Sequence, residues 1–144
     1  MTISRDKLVA FTAVMAMAML TVVSMPAVAQ AQSEMTVKVP FDFYVGKQML
    51  PSGSYNVQIF NMYVKVSDGN GHSAFALTNP VSNTVSMRQG SGQLLFTRYD
   101  SYNFLTEVRR GGYSVANGLM KSHLETQIAK TGTDKVLVAS EATR

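Results

Sequence analysis

The chain has 144 residues, 46% of them apolar, a formal net charge of +4 and no cysteine. That length suits a single domain. Without cysteine there are no disulfides, no thiolate nucleophile and no thiolate metal ligands, and the scattered positive charges do not form the basic patch that nucleic-acid binding requires.

The first residues read as a leader. Arg5 and Lys7 precede an apolar run, Leu8–Val23, interrupted only by Thr12 and Thr21. Pro26 follows, then the overlapping small-x-small triplets Ala27-Val28-Ala29 and Ala29-Gln30-Ala31. A basic start, an apolar middle and a small-residue cut site are the marks of a secretory signal peptide. Cleavage is expected after Ala31, with Ala29 as the second site, giving a leader over 1–31 and one exported domain over 32–144. The apolar run falls short of the roughly 18–20 residues that span a bilayer, and an uncleaved anchor is the alternative. The expected location is periplasmic or extracellular, with no transmembrane segment after cleavage. Removing the leader leaves a net charge of about +3 and enough chain to bury roughly two-thirds of its unfolded surface.

From Val37 the pattern has period two. Val37, Val39, Phe41, Phe43 and Val45 fall on one face, with Lys38, Asp42 and Tyr44 on the other, the half-buried strand signal. Pro40 lacks an N–H and marks an edge, a bulge or a break. "LPSGSY", Leu50–Tyr55, reads as a turn, with Pro51 at its second position and Gly53 at its fourth. Tyr55, Val57 and Ile59 then alternate with Asn56 and Gln58, and Met62, Val64 and Val66 with Tyr63 and Lys65. Asp68-Gly69-Asn70-Gly71 is the strongest hairpin turn. Ser73–Thr78 offers Phe75 and Leu77 to a core and is expected to stop at Asn79-Pro80. A weaker strand covers Val81–Met87, and Gln89–Gly92 is a turn.

Leu94–Val108 carries the densest aromatic content. Gln93–Tyr99 and Tyr102–Arg110 form a hairpin around Asp100-Ser101, with apolar bulk on both faces, which suits a central position. Tyr102, Phe104, Thr106 and Val108 are expected on one face of the second arm. Tyr113–Ala116 is a short strand before an Asn117-Gly118 turn. Ser122-His123-Leu124-Glu125 fits a capping box, and Gly132 a helix C-terminus, so a helix is expected over Ser122–Lys130. It is too short to stand alone and must dock on the sheet. Lys135–Ser140 is a last strand, free to pair with the first, and Ala142–Arg144 a frayed end. The fold class is all-β: a small antiparallel β-sandwich or barrel of about seven to nine strands with one short C-terminal helix.

Chemistry-bearing residues are sparse. His72 lies in a turn and His123 in a first helical turn; neither belongs to a zinc-ligand pattern. No Gly-x-Ser-x-Gly elbow is present. Asp100 and Glu107 are the nearest carboxylate pair on the hairpin, and turn and strand-partner roles account for them. No catalytic, metal or cofactor site is expected. Arg98, Tyr99 and Tyr102 form the candidate binding surface, with cross-strand and cation–π packing of Arg98 as the structural alternative.

Pro40–Val57, "PFDFYVGKQMLPSGSYNV", together with "LFTRYDSYNFLTEV" and "KSHLE", resembles a family of small uncharacterised exported bacterial proteins with F-x-F-x-V-G, L-P-x-G-x-Y-x-V and F-x-R-Y…F-L-x-E-V motifs. The resemblance spans most of the exported part and implies an exported β-rich domain, without an activity. Arg109-Arg110 stands where that family tends to carry a small residue and Trp. The expected function is therefore a non-catalytic β-domain with a structural or interaction role in the cell envelope, its partner an envelope protein or surface component. The alternatives are a β-barrel binding an apolar or amphipathic ligand and, behind it, a hydrolase.

Overall fold

The computed structural model describes the backbone of residues 33–82, 92–132 and 135–143, and the side chains of residues 34–82 and 92–132. The leader, both cleavage sites and most of the Val81–Gly92 region lie outside the described residues. The described chain forms β1 (Ser33–Val39), β2 (Phe43–Val45), β3 (Gln48–Leu50), β4 (Gly53–Ile59), β5 (Tyr63–Ser67), β6 (Ser73–Ser82), β7 (Gly92–Tyr99), β8 (Tyr102–Arg110), β9 (Val115–Leu119), α1 (His123–Thr131) and β10 (Lys135–Thr143).

The strands pair in the order β3-β2-β8-β7-β10-β1-β4-β5-β6-β9, with β9 also touching β8 over two residue pairs. This is a β-sandwich. One layer is β1, β4, β5 and the first half of β6; the other is built on β7, β8 and β10. Pro40 explains how the chain gets from one layer to the other. It ends β1, which pairs with β4, and three residues later β2 begins beside β8. The break is held from two sides: the Asp42 carboxylate accepts from the Ser52 backbone N–H at 2.7 Å, and the buried Asn103 donates its side-chain amide to the Asp42 carbonyl at 3.0 Å. Gly46 then turns β2 back into β3 at φ +62°, a left-handed conformation that suits glycine.

Alternation in β1, β4 and β5 places Val37, Val39, Tyr55, Val57, Ile59, Val64 and Val66 in the core at 0–1% exposure. From the facing layer come Phe43, Leu50, Leu94, Phe96, Leu105 and Val108. Phe96 sits at the centre, its ring meeting Phe41 at 5.1 Å and Phe43 at 5.3 Å edge to face, while Phe43 meets Tyr55 at 5.2 Å in the same way. Edge-to-face pairs add about 0.5–1.5 kcal/mol each beyond area burial. The Tyr55 hydroxyl donates to the Pro51 carbonyl at 2.5 Å, so the "LPSGSY" turn is fastened by the ring that follows it.

Several elements depart from the alternation. Met62 belongs to the β4–β5 turn and is exposed. Asn79-Pro80 does not end β6. The strand runs through it and changes partner, pairing with β5 through Leu77 and with β9 from Thr78. Pro80 is tolerated because Met120 N–H donates to Leu77 O, which fixes the bonded positions facing β9 at 77, 79 and 81; the proline falls between them. Asn117-Gly118 is strand rather than turn. Gly118 is there because Val81 lies across it, and an added Cβ would come within 2.5 Å of Val81 Cγ2. At the C-terminal end, Ala142 and Thr143 pair with Val37 and Thr36, so the last strand joins the first and continues through Thr143, two residues into the stretch expected to fray.

β8 contains a bulge that reverses a face. Leu95 pairs with Glu107 but Phe96 with Leu105, leaving Thr106 without a partner on β7. Its hydroxyl donates to the Leu95 carbonyl at 3.1 Å. The extra residue shifts the phase, so Leu105 and Val108 share the core while Phe104 lies on the opposite face of the sheet beside Thr97, both of them buried.

α1 begins at an N-cap, Ser122, whose Oγ accepts from Glu125 N–H at 3.1 Å, and ends where Gly132 N–H donates to Ile128 O at 2.8 Å. Glu125 is buried, and Leu124, Ile128 and Ala129 are half-buried. The C-terminal end lies against Tyr99 and Asp100, so the helix does dock on the hairpin. Ser122→Ala is expected to lower stability by about 1 kcal/mol, measured by urea unfolding, with Ser122→Asp restoring most of it.

Candidate functional site

The three residues singled out in the sequence sit at the tip of the β7–β8 hairpin. Tyr99 and Tyr102 are direct partners across it, joined by Asp100 at φ +52°. Tyr99 is buried and meets Phe104 at 6.0 Å, while Tyr102, 40% exposed, meets Tyr44 of β2 at 6.0 Å; Tyr44 in turn stacks on Phe104 at 5.1 Å. These four rings form one cluster on the outer face. Arg98 does not join it. Neighbouring strand residues point to opposite faces, and Arg98 stands exposed opposite Asn103, with no ion pair or ring contact among the described residues. The cation–π contacts among described residues belong instead to Lys65 over Phe75, at 5.7 Å, and Arg110 over Tyr113, at 4.1 Å.

The acids and histidines are held in local structure. Asp68 shapes the β5–β6 turn: its Oδ1 accepts from Asn70 and His72 N–H at 2.9 and 2.8 Å, and its Oδ2 meets His72 Nδ1 at 2.7 Å. Desolvation pushes its carboxyl up, and the hydrogen bonds from His72 and Asn70 outweigh it, holding the group below the usual aspartate range. Glu107 accepts from Arg109 Nε at 2.6 Å. Asp100 is exposed at the hairpin tip. Among the described residues no three acids or histidines gather as metal ligands.

The feature that the alternation rule misplaced is on β6. Phe75 and Leu77, expected in the core, point outward at 58% and 59% exposure, while Ala74 and Thr78 are buried. The reason lies in their partners. The register sets Ala74 and Ala76 beside Val66 and Val64, both fully buried, and so puts the large residues on the outer face opposite Lys65 and Tyr63. The apolar strip continues on both sides. Tyr63 stacks on Phe60 at 4.3 Å and approaches Phe75 at 6.2 Å. On the β9 side, Met120, 54% exposed, donates its N–H to Leu77 O. Beside the strip runs an open groove of about 390 Å³, lined by Gly46 and Lys47 from the β2–β3 turn, by β6, by Met120 and by the first turn of α1, including His123. The sequence signal was the small-large alternation Ala74-Phe75-Ala76-Leu77, legible only once the opposing valines are known.

These features define a small all-β sandwich carrying an outward apolar strip and an adjoining groove. No family model, no curated protein and no solved structure matches the chain. No helix among the described residues is long and apolar enough to cross a membrane.

Proposed function

We propose that the protein is an exported, non-catalytic β-domain of the bacterial cell envelope that works by binding, and that the β5–β6 strip is the surface through which it binds. The leader-like N-terminus and the resemblance of Pro40–Val57 to small exported bacterial proteins support the location. The observation that carries the binding role is the strip itself: Phe75, Leu77 and Met120, each more than half exposed, contiguous with Tyr63 and Phe60. Contiguous exposed apolar surface on a soluble domain marks an interaction site. The hairpin-tip rings around Tyr102 are a smaller second surface.

A second reading is supported by the groove, whose volume of about 390 Å³ falls in the range of small-molecule sites. On that reading an apolar or amphipathic ligand lies beside β6, outside the core.

A photo-crosslinking residue at Leu77, in cells expressing the full chain, tests the leading reading, with the same residue at the exposed Lys38 as control. The expected result is an envelope-fraction adduct from position 77 that position 38 does not give. Equal yield from both positions would rule out the strip as the binding face, and an adduct with the mass of a small metabolite rather than of a protein or a phospholipid would favour the groove ligand.

A further inference from the structure

We infer that the strip docks on an anionic lipid bilayer, with Phe75, Leu77 and Met120 entering the headgroup layer; this rests on the reading of the strip as the protein's binding face. The shape of the strip is the first reason. Here the large side chains are prongs, exposed at 58%, 59% and 54%, on the outer surface of a sheet and just after β9. Prongs of this kind fit a fluid layer that closes around them.

Charge is the second reason. The basic residues beside the strip are Lys47 at the mouth of the groove, Lys65 with its ammonium 5.7 Å from the Phe75 ring, Lys121 next to Met120, and His123. No acid lines the groove; of the acids near it and the strip, Asp68 and Glu107 are engaged by His72 and Arg109, Glu34 accepts from the Asn56 side-chain amide, and Glu125 is buried. Lysine stems lie along apolar surface while their ammoniums stay with water or phosphate. Apolar tips ringed by lysines match the bilayer's own layering, hydrocarbon beneath anionic phosphate. The same ring argues against a second copy of the chain as occupant. A two-fold contact through this strip would set Lys47, Lys65 and Lys121 against their own counterparts.

The test uses the protein recovered from cells expressing the full-length chain. Co-sedimentation is measured with vesicles of phosphatidylcholine alone and of phosphatidylcholine and phosphatidylglycerol in equal parts. Binding is expected only to the anionic vesicles, and to fall as salt is raised. Near an anionic surface each lysine contributes about fivefold in affinity, so Lys47→Gln, Lys65→Gln and Lys121→Gln together should weaken binding on the order of a hundredfold. Phe75→Ser with Leu77→Ser should weaken it about tenfold or more, with the unfolding midpoint of each variant measured as a check on the fold. Equal binding to neutral vesicles, or anionic binding that both sets of variants leave intact, overturns the inference. Absence of vesicle binding, with Leu77 crosslinking to an envelope protein, overturns the lipid and leaves the binding role standing. Absence of both overturns both.

Discussion

Phe96→Ala is expected to cost about 3–5 kcal/mol of folding stability, a large part of the roughly 5–15 kcal/mol typical of a domain. The size follows from position. Phe96 is fully buried, and its ring is the shared member of two edge-to-face pairs, with Phe41 and Phe43. Phe41 and Phe43 flank the crossing from β1 to β2, so the same ring holds the two layers together where the chain passes between them. Truncation removes the buried area, both ring contacts and the support for that crossing. With no disulfide to limit the unfolded state, nothing covalent offsets the loss. Urea unfolding followed by circular dichroism measures it. Phe75→Ala is the matched control: the same truncation on the outer face should change stability by less than about 1 kcal/mol. Similar losses at the two positions would mean that the assignment of inner and outer faces is wrong.

The contrast between Phe96 and Phe75 also shows how far alternation can be trusted. It is sufficient for β1, β4 and β5, because Val37 and Val39, Tyr55 with Val57 and Ile59, and Val64 with Val66 belong to strands whose outer neighbours, Tyr63 apart, are polar. In β6 both phases are apolar, Ala74 and Ala76 against Phe75 and Leu77. Hydrophobicity alone favours the larger pair, and the register with β5, which sets Ala74 and Ala76 beside the buried Val66 and Val64, decides otherwise. In β8 the phase changes inside the strand. Thr106 reads as one more member of an alternating run, and nothing local to it announces a bulge; what fixes it is the register with β7 on either side. Pro80 and Gly118 look like breaks in the sequence because each usually is one. Here a proline falls at a position that needs no donor toward β9, and a glycine makes room for Val81.

The candidate site divided along the same line. The helix cap at Ser122 is encoded by side chains three residues apart and was readable. The hairpin-tip trio was chosen by composition, and strand geometry sends Arg98 to the face away from Tyr99 and Tyr102. The groove depends on four separate segments, the β2–β3 turn, β6, the residue after β9 and the start of α1, and the strip adds Phe60 and Tyr63 from the β4–β5 hairpin. No local pattern carries such a juxtaposition.

Tyr55 gives the fold a dependence on alkaline pH. Its ring is buried and its hydroxyl donates to Pro51 O, and only the protonated phenol has that hydrogen to give. Desolvation first, then the negative charges of Asp68 and Asp42, push its pKa above the ordinary tyrosine value. A group whose pKa is raised by folding contributes stability that is complete below its unfolded pKa, near 10, and is lost as pH rises through the folded value. Tyr55→Phe keeps the ring and its edge-to-face contact with Phe43 but removes the donor. At neutral pH the variant should be less stable by about 1–2 kcal/mol, the net worth of the bond together with the cost of leaving a partly buried carbonyl unpaired. Above pH 10 the difference should shrink, because the wild-type protein alone must either keep a neutral phenol against the solvent or bury a phenolate beside two carboxylates. Urea unfolding of both proteins across the alkaline range measures the gap, with every other tyrosine and lysine common to the two. A gap that stays constant as pH rises would show that the Tyr55 hydroxyl reaches solvent and that the turn at Pro51 is held by other means.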